Sequence, residues 1–143
     1  MSLLTQEAWT ALIPHAGAMA LIDVVVAWNA TSIHATGERH SPDEHPLRDA
    51  AGLHAVHLIE YGAQAAAVHS ALLGGVDVRD GRLVSLRDVQ LTVDYVDLAR
   101  GRLDVQAQQL VADQRVAQYA FQVEQHGRLL ASGRLMVMYA VTS

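Results

Sequence analysis

The sequence predicts an α+β fold in which one antiparallel sheet wraps around a single long central α-helix. The segment over 53–73 is apolar on nearly every side of a helix, which is typical of a helix enclosed by other elements. The segments after Gly74–Gly75 alternate apolar and polar residues with the period of β-strands. Because no second long helix is predicted, only the sheet could cover the helix over 53–73.

Two strands and several turns precede the long helix. The residues over 20–28 are rich in valine and predict one strand, and those over 31–39 alternate and predict a second. Asn29–Ala30, which lies between them, can form a tight turn. The other predicted elements are a short helix over 5–12 with Thr5 as its N-cap, a turn over 13–19 and a loop over 40–52.

The part of the chain that follows the long helix consists of predicted strands. Leu103 and Val105 share one face of such a strand while Asp104 lies on the other, and the same alternation recurs to the end of the chain. Asp113–Gln114 and His126–Gly127 have residue types that favour hairpin turns. The predicted strands are 82–96, 101–112, 115–125 and 128–140.

Length and composition limit the class of protein. The 143 residues suit a single domain over 1–143, and 51% hydrophobic residues supply a core. A net charge of −5, with arginine as the only strongly basic residue type and no basic run, argues against a nucleic acid partner. The longest apolar segment is interrupted by Glu60, Gln64 and His69, so a membrane span is not expected. The absence of a targeting signal favours the cytoplasm.

Glu60 is the only Asp, Glu, Arg or Lys between Asp49 and Asp77. A carboxylate buried in such an apolar segment is costly unless it is paired, hydrogen-bonded or protonated. On a helix, His57 precedes Glu60 by three residues and Gln64 follows it by four, so the three side chains are expected on one face. We therefore expect this face to line a site, with Glu60 buried beside local partners.

Three stretches of the chain carry a resemblance to a known family. "LIPHAGAMALID" over 12–23 and "HPLRDAAGLHAVHLIEYGAQAAAVH" over 45–69 resemble the opening segment, the loop and the central helix of hotdog-fold 3-hydroxyacyl-carrier-protein dehydratases. Glu60 and Gln64 match the Glu-x-x-x-Gln of that helix, and the strands over 82–140 match in pattern. The likeness is greatest to the divergent branch found with aryl polyene pathways, and it implies a hotdog fold.

The resemblance also implies roles for individual residues. Dehydration of a 3-hydroxyacyl thioester requires a base for the C2 proton, an acid for the departing hydroxyl and donors for the enolate oxygen. His40 in the loop is assigned as the base, with His45 as the alternative, and Glu60 handles the hydroxyl. Unpaired amides around Leu53 to Ala55 would polarise the thioester carbonyl. The residues expected to contact substrate are Ala55, His57 and Gln64.

Neither a metal nor a cofactor is expected. His54 and His57 are three residues apart on the predicted helix, but no third ligand is indicated and no H-E-x-x-H spacing occurs. The chain has no glycine-rich phosphate loop and no G-x-S-x-G motif.

The expected partner is an acyl carrier protein or another acyl thioester substrate. The resemblance implies a homodimer or higher oligomer, or a heterodimer with a related hotdog protein, in which the loop histidine and the helix glutamate come from different chains. Two alternatives remain open. One is an acyl thioesterase on the same fold, in which the acid activates water. The other is a non-catalytic subunit that pairs with an active dehydratase, which the differences from the usual loop motif His-Phe-Pro-Gly favour.

Overall fold

A computed structural model describes residues 5, 20–38, 44–74, 76–113 and 115–141, without the side chains of 76–80, 140 and 141. The predicted turn over 13–19, and the predicted helix over 5–12 apart from Thr5, lie outside the described residues. His40 also lies outside them.

Six strands form one antiparallel sheet. Their order across the sheet is β1-β2-β6-β7-β8-β4, and neighbouring strands pair antiparallel throughout. The sheet strands are β1 Val24–Trp28, β2 Ser32–Gly37, β4 Val76–Leu91, β6 Leu103–Ala112, β7 Val116–Gln125 and β8 Arg128–Val141. A separate two-stranded ribbon joins β3 Leu53–His54 to β5 Tyr95–Val96.

The turn between β1 and β2 forms where the sequence predicts it. The side-chain oxygen of Asn29 accepts hydrogen bonds from the backbone amides of Thr31 and Ser32, each at 2.9 Å. An asparagine at this position therefore closes the hairpin through its own side chain.

The long helix, α1, spans Leu58–Leu73 and begins later than predicted. Leu53–His54 belong to β3, and Ala55–His57 form a 3-10 helix that leads directly into α1. The early residues are extended because Leu53 pairs with Val96, a contact between residues that are distant in the chain. The sequence pattern could not reveal this pairing, because a buried strand and a buried helix are both apolar along their whole length.

Helix α1 packs against one face of the sheet. The buried residues of β7 alternate as predicted, with Ala117, Tyr119, Phe121 and Val123 directed toward the core. Gly62 in the middle of α1 lets the helix approach the sheet closely, because a β-carbon at this position would lie 2.6 Å from Cγ of Phe121. The helix and the sheet thus share one apolar core.

Both bounds of the predicted strand over 82–96 are wrong. Strand β4 begins at Val76 and stops at Leu91, and the chain then turns so that Tyr95–Val96 joins the other sheet. The turn is held by Thr92, whose amide donates to the carbonyl of Leu130 at 2.9 Å. The alternation continues across this turn, which is why the sequence pattern did not reveal it.

Strand β4 lies at the end of the sheet and exposes apolar side chains. Its register with β8 shifts at three places. Over 81–91, every residue apart from the half-buried Ser85 is exposed, so both faces of this strand reach the surface. In the described part of the chain, no strand pairs with its outer edge. The large apolar side chains exposed on β4 are Leu83, Val84, Leu86, Val89 and Leu91. An unpaired apolar edge of this kind favours association with another chain.

Candidate active site

Helix α1 has one face that the sheet does not cover. Glu60 lies on this face and is exposed, so the expectation that its carboxylate is buried is wrong for the single chain. The sheet covers the opposite side of the helix, and Glu60 points away from it. The other residues of this face are half-buried: Ile59, Ala63, Ala67 and Ala71. We call these four residues together with Glu60 the open face.

Gln64 follows Glu60 by one helical turn and is buried, whereas Glu60 is exposed. Gln64 is 1% exposed, and its side-chain oxygen accepts a hydrogen bond from the amide of Leu21 at 3.0 Å. Residues four apart on a helix remain neighbours, so the interpretation that Gln64 shares one face with His57 and Glu60 stays a prediction. Gln64 holds the segment before β1 against the helix, and its contact with substrate stays a prediction.

The amides before α1 are paired. The amide of Ala55 donates to the carbonyl of Asp94 at 2.8 Å, and the amide of Val56 donates to Nδ1 of His54 at 3.0 Å. The prediction that the Ala55 amide is unpaired is therefore wrong, because the turn between β4 and β5 supplies an acceptor. Contact between Ala55 and a substrate stays a prediction.

His45, the alternative loop base, is fully buried against its own helix. Its Nδ1 accepts from the amide of Leu47 at 3.1 Å, so in the neutral ring Nε2 carries the proton. Nε2 then donates to the hydroxyl of Tyr61 at 2.8 Å. Tyr61 follows Glu60 directly but points into the core. His45 therefore faces the covered side of α1 in the single chain, and the open face lies on the other side.

Tyr61 is a residue of this region that the sequence analysis did not identify. Burial, with a further contribution from the charge of Asp23, raises the pKa of its hydroxyl well above the ordinary value. The hydroxyl therefore stays protonated and serves as a hydrogen-bonding group. Its position in the apolar helix, one residue after Glu60, could have indicated this role from the sequence. A tyrosine on the buried face of a helix needs a polar partner for its hydroxyl.

A second buried polar cluster lies nearer the end of α1. Nε2 of His69 donates to the carbonyl of Asn29 at 2.8 Å, and Nδ1 accepts from the hydroxyl of Tyr119 at 2.7 Å. The hydroxyl of Ser70 lies 3.0 Å from that of Tyr119. Burial raises the pKa of Tyr119 to about 12. The cluster ties α1 to β7 and to the turn before β2.

Within the residues that the structure describes, no group of three or more Asp, Glu or His side chains is arranged to hold a metal ion. No helix in those same residues is long and apolar enough to span a membrane.

The sheet, the central helix and the acid on its open face define a class: this is a hotdog-fold protein. The chain belongs to the ApeP-like family, whose model, described as ApeP dehydratase, matches residues 7–142. The resemblance seen in the sequence to divergent hotdog dehydratases is thereby confirmed. Among curated proteins, none matches the chain.

Solved structures agree on the fold. A chain of the dehydratase heterocomplex ApeI:P from Xenorhabdus doucetiae is 24% identical, with a TM-score of 0.77 over 90% of this chain and 88% of that one. AziG from S. sahachiroi is 16% identical, with a TM-score of 0.62 over 85% and 92% of the two chains. A thioesterase from Staphylococcus aureus is 14% identical, with a TM-score of 0.62 over 81% and 91%. At these identities, the similarity establishes the hotdog fold.

Proposed function

We propose that this chain is a dehydratase that converts a 3-hydroxyacyl thioester, held on an acyl carrier protein, into an enoyl thioester. The observation that carries the proposal is the match of residues 7–142 to a dehydratase family. The position of Glu60 supports it, because the carboxylate is directed toward space that a substrate could occupy.

The open face of α1 suits an acyl chain. Ala63 and Ala67 follow Glu60 at helical spacing, and their small side chains leave room for a bound chain beside the helix. A hydrocarbon chain requires apolar walls on all sides. Because Glu60 is exposed and the sheet does not cover this face, we propose that a second subunit supplies the opposite wall.

The exposed edge of β4 supports a two-subunit site. Pairing of β4 with a strand of another hotdog subunit would bury Leu83, Val84 and Leu86 and complete the backbone hydrogen bonds of the edge. One relative of known structure is a heterocomplex, ApeI:P. The partner here is a second copy of this chain or a related hotdog protein, and the assembly is a dimer or larger. We place this assembly in the cytoplasm.

In this proposal, Glu60 delivers a proton to the departing 3-hydroxyl group. His40, which the family resemblance assigns as the base, would approach Glu60 from the partner subunit. Ala55 and Gln64 would contact the substrate near the start of the helix. None of these roles needs a metal or a cofactor, because proton transfer to and from imidazole and carboxyl groups suffices for dehydration.

A non-catalytic hotdog subunit is the second candidate. It is favoured by the inward orientation of His45 and by the amide of Ala55, which is already bonded to Asp94. In that case the chain would cover the site of an active partner, and Glu60 would not take part in turnover. The thioesterase alternative shares the fold, and it differs from the dehydratase in its product.

A thioester panel tests these functions. The purified chain is incubated with 3-hydroxyacyl and saturated acyl thioesters of several lengths, and the products are identified by mass spectrometry. An enoyl thioester that forms with the wild type but not with Glu60→Gln supports the dehydratase. A free acid and thiol would support the thioesterase instead. Absence of turnover on every thioester would support the non-catalytic subunit.

A further inference from the structure

The side chain of Tyr61 is held at both of its ends. A β-carbon at Gly37, the last residue of β2, would lie 2.9 Å from Cε2 of the tyrosine ring, so the ring packs directly against the backbone there. The hydroxyl accepts a hydrogen bond from Nε2 of His45 at 2.8 Å. Tyr61 is buried and His45 is fully buried. The bond between them therefore joins the loop over 40–52 to α1 inside the protein.

The described part of this loop is organised around His45. Nδ1 of the ring accepts from the amide of Leu47 at 3.1 Å. The carbonyl of His45 accepts from the amide of Arg48 at 3.2 Å and from Nη1 of the same residue at 2.7 Å. The ring and the carbonyl of one residue thus hold the turn over 45–48 together. Where the ring of His45 is fixed, this whole turn is fixed with it.

The acceptor for this ring is a neutral hydroxyl. Burial, and to a smaller extent the charge of Asp23, raise the pKa of Tyr61 well above its ordinary value, so the hydroxyl keeps its proton near neutral pH. Phenylalanine would preserve the ring against Gly37 but would leave the buried N–H of His45 without this acceptor. Because a buried donor without an acceptor is unfavourable, the histidine ring and its turn would have to move.

Tyr61 connects this loop to the turn of α1 that carries the acid. It follows Glu60 directly, so one turn of the helix directs Glu60 to the open face and Tyr61 to the loop. In the function proposed above, the loop of one subunit supplies the base and the helix of the other supplies Glu60. The contact between subunits would set the distance between their helices. The position of each loop on its own helix needs a separate attachment.

We propose that Tyr61 is a positioning residue: through His45, its hydroxyl holds the loop that presents the base to Glu60 of the partner subunit. This inference rests on the proposed dehydratase function. The role is the same for either assignment of the base. Tyr61 would orient His45 directly, and His40 lies five positions earlier in the same loop. Tyr61 itself contacts no reacting atom.

Hydrogen exchange tests the attachment of the loop without any substrate. In the purified full chain, Tyr61→Phe should make the amides of Leu47 and Arg48 exchange about tenfold faster or more, because the acceptors of both belong to His45. Tyr119→Phe is the matched control. It removes a buried hydroxyl that bonds to His69 at 2.7 Å on another turn of α1, and exchange in the loop should not change.

Kinetics with a 3-hydroxyacyl thioester test the consequence for turnover. Tyr61→Phe should lower kcat by about ten- to a hundredfold, the scale expected when a catalytic group is displaced by about 1 Å. KM should stay within about twofold, because Tyr61 does not line the open face. Tyr119→Phe should keep both constants, although its melting temperature also falls. A merely structural tyrosine would lower the melting temperature without lowering kcat.

The possible results separate the two proposals. Unchanged loop exchange in Tyr61→Phe overturns the positioning role, and so does faster exchange with an unchanged kcat. In either case, an active wild type leaves the dehydratase function standing. A wild type inactive on every thioester overturns that function and the positioning role with it. Melting temperatures show that the variants are folded, and Tyr61→Met, which also lacks the hydroxyl, replaces Tyr61→Phe if the latter is not.

Discussion

The ring of Phe121 packs directly against the α-carbon of Gly62. A β-carbon at position 62 would lie 2.6 Å from Cγ of this ring, and a β-carbon at Gly133 on β8 would lie 3.1 Å from Cε1 of the same ring. Phe121 is the only phenylalanine of the chain. It is held between α1 and β8, and this contact sets the distance of the helix from the sheet.

Enlarging Gly62 should therefore destabilise the fold. We expect Gly62→Val to lower the free energy of unfolding by about 1–3 kcal/mol, because the branched side chain cannot be accommodated without moving Phe121. Urea denaturation followed by circular dichroism measures the change. In a Phe121→Leu background, the same substitution should cost less, because the flexible leucine can move aside. Equal costs in the two backgrounds would contradict the packing argument.

Glu60→Gln should remove thioester turnover while leaving the fold intact. Glutamine preserves the volume, and the carboxylate makes no hydrogen bond within the described residues, so stability should change little. We expect turnover to fall by about a hundredfold or more, since glutamine cannot exchange a proton. Melting temperature and product formation are measured on the same preparation. A large loss of melting temperature with full turnover per folded molecule would instead identify Glu60 as structural.

The stability of the fold should decrease on acidification through His69. Burial lowers the pKa of His69 below its ordinary value of 6.5, and the hydrogen bond to the carbonyl of Asn29 opposes this effect in part. The unfolded chain therefore binds a proton at a higher pH than the folded chain does. The contribution is fully present above pH 6.5 and is lost as the pH falls toward the lowered pKa of the folded state.

Thermal denaturation from about pH 8 to about pH 5 measures this dependence. His69→Gln should lower the melting temperature at about pH 8, because it disturbs the bonds to Tyr119 and Asn29. It should also reduce the fall in melting temperature between about pH 8 and about pH 5. His34→Gln serves as the control, since His34 lies on the surface side of β2. An unchanged acid decline in His69→Gln would exclude His69 as its source.

The chain should form a dimer or larger assembly through β4. Val84 is 48% exposed on the edge strand, and a charge placed there would have to be buried if β4 pairs with another chain. We expect Val84→Glu to shift the sedimentation coefficient toward that of the single chain. Val111→Glu is the matched control, because Val111 is 58% exposed but lies on β6. A wild type that sediments as a single chain at micromolar concentration would contradict this prediction.

The sequence by itself determined the α+β class, the long apolar helix and the strands over 101–112, 115–125 and 128–140. These features depend on local periodicity, and β7 shows it directly, since buried and half-buried residues alternate along its length. The same local information singled out Glu60, because an isolated acid in an apolar segment is visible without any structure.

Only the tertiary structure decided which face of α1 is covered and which histidine nitrogens take part in hydrogen bonds. Gln64 is turned inward by a hydrogen bond to Leu21, 43 positions away, and His45 is held by Tyr61, 16 positions away. The break after Leu91 likewise depends on a bond from Thr92 to Leu130. Such contacts join distant parts of the chain, and they select among conformations that the local pattern leaves equally favourable.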